Sequence, residues 1–279
     1  MMLEGKFIGV VEETDVFAVE KKFSVLKRGK AVLRVTALGL YFAELNGVRV
    51  GDRYLTPGWT SYHNTLQVQE YDVTDLLHEG ENELCFTVGK GWYRGWLVYR
   101  HNKDIYGNKC AVCAELSIEN HVVATDESWS ARESYIRESG IYDGETVDFT
   151  AELKPLTVCE VEFDKRALVA QMSEPVRNIE RLAVKEVIHT PKGELVYDFG
   201  QNIAGAAEIC TNENFEGTIT LQFAECLLGG NFYNDNLRGA KATDRFTVKG
   251  AKTTSWKKRQ RYCKNRMRQK HTVAVAGSY

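Results

Sequence analysis

Three groups of residues in this chain could do chemistry, and each has to be weighed against what the local fold would ask of it. The densest acidic group is YDGETVDF, with Asp143, Glu145 and Asp148. Hydrolysis of a glycosidic bond needs two carboxyls about 5 to 5.5 Å apart for retention, or about 6.5 to 9.5 Å apart for inversion. Asp143-Gly144 is first a turn signal, with Glu145 solvated beside it. Cys110-Ala-Val-Cys113 has the spacing of a redox or zinc half-site. It sits in KCAVCAELSI, however, which reads as a strand whose positions i and i+3 point to opposite faces, and no second CxxC or His pair follows. No G-x-S-x-G elbow, P-loop or H-E-x-x-H occurs, and the six histidines form no ligand spacing.

The third group is aromatic. Twelve of the thirty aromatic residues fall between Tyr41 and Tyr106, among them Tyr99. Trp59 in TPGWTSYHN and Trp92 in GKGWYRGW lie in turn-rich segments, which present side chains at the end of a sandwich more readily than inside it. Such faces suit a sugar, which offers apolar C–H surfaces for stacking and hydroxyls for hydrogen bonds. The competing reading makes the same tryptophans plugs for the ends of the core. One stacked aromatic burying about 150 Å² yields on the order of 4 kcal/mol, close to the lower estimate of the cost of association. A lone module would therefore bind in the millimolar to micromolar range and gain from tethering.

The elements that must position these groups are strands. AVLRVTAL, LYFAEL, NELCFTV, AVCAELSI, HVVAT, LAVKEVIH, AAEIC, GTITLQF and DRFTV are short alternating or β-branched runs between turn residues. Asn46-Gly47 supplies the two positive-φ positions of a type I′ hairpin turn. The one helical element expected is a single turn in YDVTDLLHEGEN, capped by Asp72 or Thr74, with Leu76 and Leu77 inward and Gly80 ending it. The fold class is all-β: two jelly-roll-like β-sandwich domains, the second incomplete. Pro155, in the polar connector AELKPLT, marks the boundary between domains at 1–155 and 156–250, with a divergent basic tail at 251–279.

The 279 residues carry a formal charge of -2, but this is a cancellation. Residues 1–250 hold 27 basic and 38 acidic groups, whereas 251–279 hold nine basic residues and no acid: Lys252, Lys257, Lys258, Arg259, Arg261, Lys264, Arg266, Arg268 and Lys270. The totals point neither to nucleic acid nor to a membrane surface. No stretch is long and apolar enough to span a bilayer, the first residues show no h-region with a small-residue cleavage site, so secretion by a standard signal is not expected, and seven cysteines without framework spacing fit a reducing, cytoplasmic compartment.

LGLYFAELNG, LTPGWTSY, YDVTDLL, GEN and GWYRG, in that order and spacing, closely resemble the N-terminal domain of bacterial α-L-rhamnosidases, the family 78 glycoside hydrolases. ESYIRESGIYDGETVDF looks like that domain's closing segment. VYDFGQNIAGAAEI, GTITLQFAECL and NDNLRGAKATDRFTVKG are similar to the family's concanavalin-like β domain, so the resemblance covers about residues 6 to 250. It implies a jelly roll that recognises rhamnose-containing carbohydrate, in some members with a calcium ion. Carried over by motif, the candidate sugar contacts are Asn46, Trp59, Trp92, Tyr93 and Arg94. It also implies that the catalytic carboxylates lie in an (α/α)₆ barrel C-terminal to both β domains. Twelve helices at about eleven residues each would take roughly 130 residues. This chain is therefore expected to be the non-catalytic portion of such an enzyme, inactive by itself. Two other readings are a free-standing rhamnose-binding module and a structural or assembly unit. The family pattern is lost near Ala251, where the basic tail reads as out-of-frame translation in preference to a cationic arm.

Overall fold

The computed structural model describes residues 3–97, 102–119 and 121–250, together with the backbone of the strands Thr253–Arg259, Tyr262–Asn265 and Thr272–Gly277. Tyr99, and of the basic tail Lys252, Arg261, Arg266, Arg268 and Lys270, lie outside these residues. The chain forms two compact units, Met1–Ser134 with Leu153–Pro175, and Tyr135–Glu152 with Val176–Tyr279. The division is interleaved, where the sequence suggested a single cut near Pro155.

The first unit contains, in chain order, β1 Ile8–Val10, β2 Val16–Val25, β3 Ala31–Leu38, β4 Leu40–Leu45, β5 Val48–Arg49, β6 Leu66–Asp72, β7 Gly80–Gly89, the helical turn α1 Gly91–Arg94, β8 Ala111–Ile118, β9 His121–Ala124 and β10 Ser130–Glu133. The chain then crosses into the second unit as β11 Ile136–Gly140 and β12 Gly144–Asp148, and returns as β13 Pro155–Leu156, β14 Val158–Glu160 and β15 Leu168–Ala170. One sheet has the order β14-β1-β8-β3-β6-β15 with β9 beside β8, and the other β13-β10-β2-β7-β4-β5. Alternate residues of both sheets make the sandwich core: Leu33 and Val35 of β3, Val112 and Leu116 of β8, Phe17 and Val19 of β2, and Leu84 and Phe86 of β7.

The outer face of the first sheet is buried as well. Leu38, Leu66, Val68, Ala111 and Cys113 lie under Phe7, Tyr62, Tyr93 and Leu168. That explains why β8 is apolar along nearly its whole length instead of alternating. It also separates the CxxC pair: Cys110 joins the inter-sheet core and Cys113 the cluster on the far side, as opposite-facing strand positions require. Asn46 and Gly47 have φ of 55° and 73° in the turn from β4 to β5. The expected helical turn is a 3₁₀ turn at Thr74–Leu76, entered through Asp72, whose Oδ1 accepts the Thr74 N–H at 3.0 Å.

The second unit adds β16 Glu180–Ala183, β17 Glu186–His189, β18 Leu195–Asp198, β19 Ala204–Cys210, β20 Glu216–Ala224, β21 Cys226–Leu228, β22 Asn231–Tyr233, β23 Thr243–Lys249, β24 Thr253–Arg259, β25 Tyr262–Asn265 and β26 Thr272–Gly277. Its sheets run β11-β12-β23-β20-β25-β18-β17 and β16-β26-β19-β24, with β21 and β22 pairing separately. Ile219, Leu221 and Phe223 of β20 pack with Phe246 and Val248 of β23 and with Ala207 and Ile209 of β19. LAVKEVIH, expected as one strand, is divided between β16 and β17 in different sheets. The stretch after Gly250, set apart in the sequence as a divergent basic tail, supplies β24, β25 and β26. Ladder pairing uses backbone groups that every residue except proline possesses, and no proline follows Pro191.

Candidate functional site

Two connections at one end of the first unit's β4 and β7 bring Trp59 and Trp92 together. The first is α1. Gly91 has φ of 50°, and a Cβ there would lie 2.3 Å from Leu40 Cγ, so glycine alone lets the chain turn sharply out of β7 beside β4. The turn leaves Trp92 half-buried, buries Tyr93 and carries Arg94. The second connection joins β5 to β6, with Leu55 at φ 53°, a cis Thr56–Pro57 bond and Gly58 at φ 98°. Trp59 follows, 51% exposed, and stacks on Trp92 with ring centroids 5.9 Å apart and planes 6° from parallel.

Beneath this pair lies a wall of tyrosines. Tyr62 is fully buried and meets Tyr93 and Tyr106 edge to face, at 5.5 and 4.8 Å. Burial pushes the Tyr93 phenol up to about 12 and Tyr62 higher still, so both rings stay neutral. Gly107 seats Tyr93, because a Cβ there would come within 2.2 Å of the Tyr93 hydroxyl. Tyr93 therefore supports the face from below and offers no surface to a ligand. Arg94 is likewise committed: its Nη2 meets Glu13 at 2.8 Å and its Nε meets Asp104 at 3.0 Å, with the side chain 11% exposed. Burial works against the guanidinium charge, but the hydrogen bonds to Glu13 and Asp104 outweigh it, leaving Arg94 protonated more firmly than usual. Further along, Trp96 is 38% exposed, with the Lys103 ammonium 5.7 Å from its ring centroid.

Asn46 is set apart from this group. β4 runs from Leu40, beside Gly91, to Leu45, so at about 3.3 Å per residue Asn46 stands roughly 20 Å away, at the other end of the strand. Its Nδ2 donates to Leu76 O and Asn82 Oδ1, both at 2.9 Å, and its Oδ1 accepts the Glu83 N–H at 2.9 Å. The hydrogen-bonding capacity expected to serve a sugar is spent fastening the hairpin to β7 and to the 3₁₀ turn.

The acidic cluster serves its own hairpin. Asp143 faces Lys241 at 3.8 Å, Glu145 Oε1 accepts from Ser139 Oγ at 3.1 Å, and the Glu145 N–H donates to Asp244 Oδ1 at 3.0 Å. Asp148 accepts from Thr150 Oγ1 at 2.6 Å and Thr150 N at 2.9 Å, which holds its carboxyl below the usual range. Among the described residues no three His, Cys, Asp or Glu side chains converge to hold a metal ion, so the calcium implied by the resemblance finds no carboxylate cage there. Nor is any described helix long and apolar enough to cross a membrane. Sequence reasoning missed Gln67 and Gln69, buried on β6 beneath the Trp59 loop. The signal was present: two glutamines at period two, in register with Tyr71 and alternating with Leu66 and Val68, put amides on a buried face, where they need partners.

Comparisons with known proteins bear on this arrangement. The family model described as the alpha-L-rhamnosidase N-terminal domain matches residues 27–180, and that of the bacterial alpha-L-rhamnosidase concanavalin-like domain matches residues 188–268, past Gly250 and into the basic stretch. An alpha-L-rhamnosidase of Streptomyces avermitilis is 36% identical over 244 residues, which cover 80% of this chain and 23% of that protein. One of Alteromonas sp. is 32% identical, over 82% of this chain and 26% of that protein. The chain thus spans about a quarter of the length of these curated relatives. Among solved structures, the native alpha-L-rhamnosidase of Aspergillus terreus superposes with a TM-score of 0.91 at 30% identity, over 99% of this chain and 36% of that one. The Streptomyces avermitilis alpha-L-rhamnosidase complexed with L-rhamnose gives 0.85 at 28% identity, over 98% and 29%.

Proposed function

The chain belongs to the α-L-rhamnosidase family, and from that premise we propose that it is the non-catalytic β portion of an enzyme hydrolysing terminal α-L-rhamnosyl linkages in glycans or glycosides. Its first unit recognises the rhamnose-containing carbohydrate. The observation that carries this reading is the stacked Trp59–Trp92 pair, held at one end of the sandwich with Trp59 half in solvent. A 6-deoxy sugar has a methyl group and an apolar C–H face to lay on such a ring, leaving its hydroxyls outward. Six free cysteines among the described residues, three of them buried, support a reducing, cytoplasmic setting.

Titrating L-rhamnose against tryptophan fluorescence tests the reading. A saturable change with Kd in the millimolar to micromolar range is expected, lost in Trp59→Ala and Trp92→Ala; a flat titration of the folded protein removes the carbohydrate role. The chain alone is expected to release no nitrophenol from a nitrophenyl α-L-rhamnoside. Measurable turnover would show that it is catalytic.

A further inference from the structure

The two residues before Trp59 are gripped from below. Gln67, 3% exposed, spends its whole amide on two segments. Its Nε2 donates to Pro57 O at 3.3 Å and to Ser173 Oγ at 3.1 Å, while its Oε1 accepts the N–H groups of Met172 at 2.8 Å and Ser173 at 3.1 Å. Gln69, fully buried and two residues on, points to the same side, donates to Pro57 O at 3.2 Å and accepts from the Tyr41 hydroxyl at 2.9 Å. Gly58 rests on the Gln67 amide so closely that a Cβ would lie 3.1 Å from Nε2. The Gly58 carbonyl accepts from the Tyr62 hydroxyl at 2.8 Å, and Tyr62 packs on Tyr93, the neighbour of Trp92.

A buried amide is retained only where its partners are supplied, and this one is saturated by the Trp59 loop and by the segment 172–173. We infer that Gln67 is a positioning residue: it sets the height and tilt of Trp59 against Trp92 and ties the aromatic face to the segment 172–173. The inference rests on the carbohydrate reading only for its functional consequence; the geometry of the tryptophan pair is a separate observable.

Two indole rings stacked within 6 Å couple their transitions, so the far-ultraviolet circular dichroism of the full chain should show an exciton couplet, isolated as the difference from Trp92→Phe. Gln67→Met keeps the side chain's length and removes the amide. It is expected to abolish the couplet and weaken L-rhamnose binding about tenfold, the loss of a buried hydrogen-bonding anchor. Gly58→Ala should do the same from the loop side, whereas Asn64→Ala, in the same loop but with its side-chain amide on Ser61 Oγ, should leave both signals intact. Gln67→Glu gives a sharper readout. The carboxylate cannot donate to Pro57 O but the protonated acid can, so the couplet should return as the pH is lowered in Gln67→Glu and stay absent in Gln67→Met. A couplet missing from the wild-type chain, or retained in folded Gln67→Met and Gly58→Ala, overturns the inference. A wild-type couplet without rhamnose binding would sink the carbohydrate reading alone, and the variants' couplets would still decide the role of Gln67.

Discussion

Cys113 donates its thiol to Gly5 O at 2.9 Å beneath the covered face of the first sheet, while Cys110 and Cys85 are buried elsewhere in the same unit. Burial pushes all three thiols up to about 12. Iodoacetamide at mildly alkaline pH should therefore leave Cys85, Cys110 and Cys113 unmodified in the native protein while labelling exposed Cys210, with peptide mapping as the readout; labelling of Cys113 at the rate of Cys210 would contradict its burial. The same shift fixes a pH dependence. From about 8.5 upward the unfolded chain loses thiol protons that the folded chain keeps until about 12, so the folded state binds more protons and stability falls as pH rises through that window. Unfolding free energies from urea titrations should decline there, by up to about 1.4 kcal/mol per pH unit for each thiol. At this scale the sequence was legible where residue type and turn chemistry agreed. Trp59 and Trp92 stood out as large aromatics among turn residues, and the structure stacks the two rings on each other. For Asn46 and Arg94 the motif did not reveal the protein partners that their side chains already have.

Among elements, strands announced themselves and α1 did not. AVLRVTAL, LYFAEL and AVCAELSI end at the residues where β3, β4 and β8 end, because alternation or β-branching fills one or both faces of a sheet. α1 is four residues long, too short for any periodicity, and exists because Gly91 permits a fold-back that packing then secures. Gly91→Ala should destabilise the first unit by about 1–3 kcal/mol through positive-φ strain and the approach to Leu40, and it should dim the Trp59–Trp92 coupling as well. Phe86→Ala in the sandwich core should cost about 3–5 kcal/mol. Phe86 lies in the inter-sheet cluster, away from the aromatic face, so rhamnose affinity of the remaining folded fraction should not change. A denaturation series with fluorescence titration separates the two cases, and equal effects on affinity would argue against a locally built site.

At the scale of the whole molecule, the feature hidden from sequence was the excursion of 135–152. Its strands β11 and β12 follow the same period-two rule whichever sheet they join, and β12 finds a parallel partner in β23, about a hundred residues later, which no local pattern reports. Pro155 read as a connector in the sequence, but it lies within β13, paired with β10, and β13 to β15 belong to the first unit, where Leu168 is 2% exposed. The path across the excursion is short, because the Glu133 N–H donates to Lys154 O at 2.9 Å and β10 pairs with β13 immediately before and after it. Residues 1–175 with 135–152 replaced by Asn-Gly should therefore keep both sheets of the first unit, its inter-sheet core and the tryptophan pair. Cooperative urea unfolding is expected, together with the full chain's tryptophan couplet and its fluorescence response to rhamnose. A chain ending at 155 instead loses β14, β15 and Leu168, and should unfold at markedly lower urea, by about 2–5 kcal/mol for the buried leucine alone. If the excised form shows no cooperative transition, the first unit needs the hairpin to fold. If it folds but ignores rhamnose while the full chain responds, the recognition face is not self-contained in the sandwich that carries Trp59 and Trp92.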